Sequence, residues 1–578
     1  MRDPRHVAPT LVEAVRALGD DRERGFVFVS SDGTERLLSF HDIAAEAARR
    51  AARLAARGLH KGDRLAMVLP EGEQFVLSFL AALFAGVVPV PIYPQLSFKN
   101  IEGYHDTVAH IARASGAAML LTTAATKPYV EPVAGRVAGL GILTCEELEG
   151  SAPALQVDAR PDDLAFLQFT SGSTSRPKGV MVTHGNLRAN AEAFMVHGLD
   201  RDPAVDKGVS WLPLFHDMGL IGFVVGPLFT NVPCVFLPTA SFVRAPRLWL
   251  EKIHQHRGTI TYAPNFAYAL VAKRMRDRDV EGLDLSCLRV AGCGAEPIQA
   301  RSLREFADRL APAGFDPRAF LPSYGMAEAT LAITFAPLRD GLRTDVTDAG
   351  NELVDCGVPF PQHELAIVDE TGARLGERQV GQIVTRGPSI TPGYFNEPDL
   401  TAQTYRPLPG DAGGPWLHTG DLGYVAGGRL FVCGRVKDIV IVRGRNYYPS
   451  DIEWAVSELP GVRRGNAVAF GVNVDGQEQL VVCCEGAASD AAAIREATSA
   501  CIAAQFGLTA YEVVVSPLAS LPRTSSGKPQ RRKTREMYLD GSLPRARSVQ
   551  ARSEGTPDVG EAGVAGSQAC RESDTPAA

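Results

Sequence analysis

The chain contains no Cys-x-x-Cys pair. Its ten cysteines are scattered over 578 residues, and only Cys483 and Cys484 stand close together, in a strand-like run. That spacing suggests neither a zinc site nor a disulfide framework. An excess of positive charge is also missing. The formal net charge is -7, which gives no reason to expect nucleic-acid binding. The first residues, MRDPRHVAPTLVEAV, hold no apolar core of the secretory kind, so a cytoplasmic protein is expected. No unbroken membrane span stands out either. Gln74 to Pro94 carries no charge and is about as long as a bilayer crossing. Gly86, Pro89 and Pro91 nevertheless divide it into a buried helix and a short strand. Gly219 to Pro238 is interrupted in the same way by Gly222, Gly226, Pro227, Asn231 and Pro233.

What remains is an ordinary globular composition, 45% hydrophobic and 22% charged, in a chain too long for one hydrophobic core. Residues 40 to 58 read as an amphipathic helix closed by Gly58. DRLAMVLP then reads as a strand, EGEQFVLSFLAALFAG as a helix, VVPVPIYP as a strand, and AHIARASGAAMLLTT as helix then strand. This alternation, repeated through ITYAPNF and LRVAGCGAEP, predicts an α/β fold with parallel strands. From about 351 the pattern turns to short strands joined by turns, ending near GGRLFVCGRV. A compact mixed segment follows: a helix over DIEWAVSELPGV, two strands, and a helix over DAAAIREATSACIAAQFG. Residues 541–578 are rich in Gly, Ala, Ser, Pro and charge, the composition of a disordered tail.

One stretch carries the chemistry. LQFTSGSTSRPKGVMVTHGNL, Leu167 to Leu187, gathers Thr170, Ser171, Ser173, Thr174 and Ser175 around Gly172 and ends on Lys178 and Gly179. Backbone N–H groups of a Gly-rich turn converge on anions, and hydroxyls and a lysine strengthen the hold on phosphate oxygens. A nucleotide phosphate is therefore the natural partner. The spacing is not that of a Walker loop, because Lys178 precedes the second glycine. A plain Ser/Gly linker is the competing reading. The position between a strand and a predicted helix, HGNLRANAEAFMV, argues against it.

TSGSTSRPKGV closely resembles the phosphate loop of the adenylate-forming superfamily of acyl-CoA synthetases, luciferases and peptide-synthetase adenylation domains. Further matches follow in the family's order: SYGMAEAT (323–330), HTGDLGY (418–424), GRVKDIVIVRGRNYYPSDIE (434–453) and PRTSSGKPQR (522–531). Within the superfamily, WLPLFHDMGLIG (211–222), APNFAYAL (263–270), CGAEPI (293–298) and Ser175 are most similar to fatty acyl-AMP ligases.

The resemblance implies a large N-terminal adenylate-forming domain over 1–436, made of two α/β subdomains and a β-rich subdomain at about 351–436. A small mobile α+β domain over 437–540 follows, with Lys437 as the hinge. It implies ATP and Mg2+ as cofactors. Thr170, Ser171, Gly172, Ser173, Thr174, Lys178 and Thr330 would face phosphates, and Glu328 would hold Mg2+. Gly294, Ala295 and Glu296 would border the adenine edge. Ser323, Tyr324, Gly325 and Met326 would complete the nucleotide site, with the Tyr324 ring stacking on the base. Asp421 and Arg435 would bind ribose. Lys528 would stabilise the charge that develops during adenylation. His216 would lie beside the acyl carboxylate, and the apolar segment at Pro264, Asn265 and Phe266 would meet the lipid tail.

The implied activity is ATP-dependent conversion of a fatty acid to acyl-AMP with release of pyrophosphate. The acyl group then passes to the phosphopantetheine thiol of a separate acyl carrier protein. The alternative is a fatty acyl-CoA synthetase using CoA. The short stretch PLRDGLRTDVTDAGNELVDCG, where fatty acyl-AMP ligases carry an insertion, keeps that alternative open. A catalytically silent acyl- or nucleotide-binding module is a third reading, opposed by Lys178, Glu328, Asp421, Arg435 and Lys528 all being present. Arg531, Arg532, Lys533 and Arg535 could greet an acidic carrier or could simply be solvated cations.

Overall fold

The helix–strand alternation between residues 60 and 145 folds into a four-stranded parallel sheet in the computed structural model, which describes residues 7–94, 101–150, 155, 157–170, 177–347, 352–442, 445–474, 477–523 and 529–546. The strand order is Val88–Pro91, Arg64–Met67, Ala117–Thr122 and Gly141–Thr144. The charge-free stretch breaks as its glycine and prolines require: helix Gly72–Phe84 is buried along most of its length, and a strand starts at Val88. Helix Phe40–Ala56 begins at a capping box between Ser39 and Asp42 and stops before Gly58, whose φ is 87°. No helix among the described residues is long and apolar enough to cross a membrane.

A second, nine-stranded sheet runs in the order Val358–Pro359, Ala332–Phe335, Phe320–Gly325, Val290–Cys293, Ile260–Ala263, Gly208–Ser210, Cys234–Phe236, Gly25–Val29 and Glu35–Ser39. Its inner strands are parallel and short, buried on both faces as near-continuous apolar runs. An aromatic cluster backs it. Trp211 stacks on Phe242 with ring centroids 3.9 Å apart, and Trp249 donates its indole N–H to Thr261 at 2.9 Å. The carboxyl ends of three neighbouring parallel strands deliver Pro264–Phe266, Gly294–Glu296 and Met326–Glu328 to one edge, where open α/β sheets bind their ligands.

The helix predicted after the phosphate-loop segment is present from His184, with a strand ahead of it that the sequence did not announce. The chain returns first as a strand, Lys178–Thr183, antiparallel to Leu164–Thr170 with Thr170 opposite Lys178. Only then does helix His184–Ala191 start, capped by Thr183 and Asn186. The β-rich unit is a five-stranded sheet built from Glu364–Val368, Gly381–Arg386, Tyr405–Arg406, Trp416–Ala426 and Arg429–Arg435.

Beyond Arg435 a short 3-10 turn, Val436–Asp438, leads into a smaller α+β unit. Its three-stranded sheet comprises Val462–Val474, Gln477–Gly486 and Glu512–Ser516, covered by helices Pro449–Ser457, Ala491–Phe506 and Arg531–Leu539. Packing continues past 541, where a loose tail is expected to begin. Leu543 and Ala546 are buried, and the Ala546 N–H donates to the Val515 carbonyl at 2.8 Å. Residues 547–578 lie outside the described residues.

Candidate active site

The C-terminal strand ends of the large sheet, the β-rich sheet and the small unit together enclose a cavity of about 2050 Å³. One wall is polar. Lys178, at the start of its strand, holds its ammonium 5.7 Å from the centre of the Tyr394 ring. Burial, and next the charge of Lys437, lower the pKa of Lys178. Such a cation in a recessed place would gain from an anionic partner.

Glu328 sits on the 3-10 turn Ala327–Ala329 and lines the cavity. Its Oε1 accepts a hydrogen bond from the Tyr394 hydroxyl at 2.7 Å. Its depth below the molecular surface raises the carboxyl pKa. Among the described residues there is no group of three or more His, Cys, Asp or Glu that could hold a metal ion. A single carboxylate, with a recessed lysine in the same cavity, still fits Mg2+, which usually takes one or two carboxylates and completes its shell with substrate phosphates and water.

Asp421 and Arg435 lie opposite each other on paired strands. Asp421 Oδ1 is 3.1 Å from Arg435 Nε, and Oδ2 accepts from the Tyr324 hydroxyl at 2.7 Å. Burial pushes the Asp421 carboxyl up, while Arg435 and the Tyr324 hydrogen bond oppose that rise. The neighbouring Asp421 charge in turn raises the Arg435 pKa. Tyr324, Ser323, Gly325 and Met326 all line the cavity. Gly325 is required there, because a Cβ would stand 1.9 Å from the Leu331 carbonyl oxygen. Ala295 adopts a left-handed φ of 68° and lines the cavity with Glu296, whereas Gly294 is buried beneath them. His216 also faces the cavity, its Nδ1 2.5 Å from Asp217 Oδ1.

Several expectations change. Thr330 does not reach the phosphate region. It is fully buried, and its hydroxyl donates to the Ser389 carbonyl at 2.6 Å, because the turn after Glu328 takes a φ of 70° and turns the side chain inward. Of the three acyl-pocket residues only Phe266 lines the cavity, edge-on to Trp211. Pro264 is buried, and Asn265 is enclosed in the core with its Oδ1 accepting from the Gln299 N–H at 3.0 Å. Arg531 is no free surface cation. It pairs with Asp438, and its Nη2 lies 2.9 Å from Glu453. Arg532 pairs with Glu536 at 2.9 Å, and Arg535 donates to the Gly471 carbonyl.

Thr170 lines the cavity, but Ser171, Gly172, Ser173 and Thr174 lie outside the described residues, as does Lys528. Arg523 and Pro529, on either side of 524–528, both line the cavity. Lys437 lines it from the turn that joins the two units.

Sequence reasoning missed the second wall. Phe194, Met195, Phe223, Ile260, Cys234 and Phe335 give part of the cavity an apolar lining. Two π-helical segments, Glu192–Gly198 and Ile221–Val225, supply part of this lining. Interruptions of this kind recur at functional sites. The glycine-broken apolar stretch at 219–238 was the available signal.

Residues 17–395 match the family described as AMP-binding enzyme. A putative acyl-CoA synthetase of Caulobacter vibrioides is 38% identical over 87% of this chain and 91% of its own. The long-chain-fatty-acid–AMP ligase FadD26 of Mycobacterium marinum is 36% identical over 90% of this chain and 96% of its own. A solved structure from work on fatty acyl-adenylate ligases of E. coli and L. pneumophila superposes with a TM-score of 0.86 at 34% identity, covering 92% of this chain and 98% of that one.

Proposed function

The chain belongs to the fatty acyl-AMP ligases of the AMP-binding enzyme family, and from that membership we propose that it activates a fatty acid as its acyl-AMP and passes the acyl group to a carrier-protein thiol. The observation that carries this reading is the two-walled cavity. An apolar part of the lining, suited to a hydrocarbon chain, shares the cavity with a polar site that pairs a recessed lysine with two deeply placed carboxylates.

In this reading the ribose hydroxyls bind Asp421 and Arg435, and the base lies against Tyr324 and the 294–296 segment. Lys178, Thr170 and the residues 171–174 hold the β- and γ-phosphates. Glu328 would hold Mg2+, which when bound supplies positive charge at the phosphate oxygens. The fatty carboxylate, placed near His216, attacks the α-phosphorus. A new C–O–P linkage forms, the α–β phosphoanhydride breaks, and pyrophosphate leaves. Lys528, between Arg523 and Pro529 in the sequence, balances the charge shared by the carboxylate and the α-phosphate. Rotation about Lys437 then admits a thiol. Its sulfur attacks the acyl carbon, its proton passes to solvent, and AMP departs as the thioester forms.

CoA as the acceptor is the second reading, favoured by the short 336–356 stretch. Here only a two-stranded hairpin, Thr344–Val346 with Glu352–Val354, is described. The test is a competition: acyl-AMP, a phosphopantetheinylated carrier and CoA in one reaction, with products read by mass spectrometry. Acyl-carrier should dominate. Predominant acyl-CoA would assign the chain to the synthetases.

A further inference from the structure

Tyr394 is absent from every nucleotide-binding motif singled out in the sequence, yet it touches two of the groups on which the site depends. Its hydroxyl donates to Glu328 Oε1 at 2.7 Å, and its ring lies under the Lys178 ammonium at 5.7 Å. The side chain is buried, at 8% exposure, and packs edge-on to Tyr405.

The surrounding backbone fixes it there. Tyr394 bridges Val180, the Met181 N–H donates to the Gly393 carbonyl at 3.0 Å, and the Phe395 N–H donates to the Gly179 carbonyl at 2.8 Å. The strand that carries Lys178 is thereby zipped to residues 393–395. On the other side, the Thr391 N–H and hydroxyl both donate to the Glu328 carbonyl, at 2.9 and 3.0 Å. The Tyr394 N–H donates to Thr401 Oγ1 at 3.0 Å. One short segment, 391–395, therefore holds the backbone of both phosphate-site elements and sends a single side chain between them.

We propose that Tyr394 is a positioning residue for the metal–triphosphate end of the substrate, orienting the Glu328 carboxylate and the Lys178 ammonium as one unit. This rests on the nucleotide reading given above and adds to it a residue that acts through Glu328 and Lys178. The physical basis is that an outer-shell hydrogen bond orients a ligating carboxylate. Losing such a partner typically costs about 10–100-fold in metal affinity. The aromatic face adds a smaller attraction for the cation.

The test is calorimetric binding without turnover. A non-hydrolysable α,β-methylene ATP analogue is titrated with Mg2+ and without fatty acid, and AMP without Mg2+ serves as control. Tyr394→Phe keeps the ring and should weaken Mg2+–analogue binding about tenfold while leaving AMP affinity unchanged. In the Glu328→Gln background the same change should add nothing, because the carboxylate it orients is gone. Tyr394→Leu in that background should cost a further factor of about three through Lys178. Unchanged analogue binding by Tyr394→Phe, multiplying losses in the double variant, or an equal loss of AMP affinity would overturn the assignment. No Mg2+-dependent analogue binding by the parent protein would instead sink the nucleotide reading itself, and this inference with it.

Discussion

Glu328 and Thr330 stand two positions apart and face opposite ways. Glu328 opens into the cavity, and Thr330 is fully buried on the Ser389 carbonyl. A motif places residues along the chain but does not say which way a tight turn sends each side chain. Thr330→Val should therefore cost about 1–3 kcal/mol of stability, the penalty for an unpaired buried carbonyl, with the KM for ATP unchanged. Chemical denaturation and pyrophosphate-exchange kinetics check the two halves. Asp421→Asn should do the reverse: little loss of fold, but a rise of about tenfold or more in the KM for ATP, because the ribose loses a charged acceptor. Asp421 and Arg435 were legible because they stand in two of the motifs that carry the resemblance, and the strand register brings them face to face. Tyr394 was not. TPGYFNEP lies in none of the motifs quoted above, and only the fold sets Tyr394 against both Lys178 and Glu328.

Among elements, the parallel strands and their helices were readable because their apolar periodicity matches what the sheets bury. The strand Lys178–Thr183 was less so, since a glycine–serine loop can return as either helix or strand, and pairing with Leu164–Thr170 decides it. The segments at 192–198 and 221–225 are apolar whether they face a core or a cavity, so their place in the cavity lining could not be read from composition. The basic stretch at 531–535 could be read in two ways, and its neighbours resolve its first residue. Arg531, caught between Asp438 and Glu453, should destabilise the protein by about 2–3 kcal/mol when replaced by Ala. Arg532→Ala should cost about 0.5 kcal/mol, the worth of an exposed i,i+4 pair. Thermal or urea unfolding distinguishes these values.

The first turn of helix Pro449–Ser457 carries a pH dependence. Burial pushes the Asp451 carboxyl up to about 6, while the unfolded chain ionises near its ordinary value of about 3.9. Its contribution to stability is therefore greatest below about pH 4 and declines as pH rises through about 6. Asp451→Asn should be more stable than the parent at pH 7, by up to about 3 kcal/mol, and equally stable below pH 4, as thermal unfolding at the two pH values would show. An equal shift at both pH values would refute the burial argument.

For the whole molecule, two units share one cavity. The large sheet, the β-rich sheet and the small unit all contribute to its lining, and the turn that holds Lys437 joins the small unit to the rest. A cross-unit pair, Arg301 with Glu458 at 3.2 Å, marks this arrangement. Both residues are partly exposed, so the pair adds little to stability. Lys528→Ala should thus reduce adenylation about a hundredfold or more and leave transfer from preformed acyl-AMP largely intact. Equal losses in both half-reactions would remove Lys528 from its adenylation role. The most direct test of fatty-acid activation in this cavity is the exchange of labelled pyrophosphate into ATP, measured with Mg2+ across a series of carboxylic acids. Medium- and long-chain fatty acids should drive exchange, with amino acids and acetate near background. Exchange that is absent with every fatty acid, or as fast with acetate or an amino acid, would contradict it.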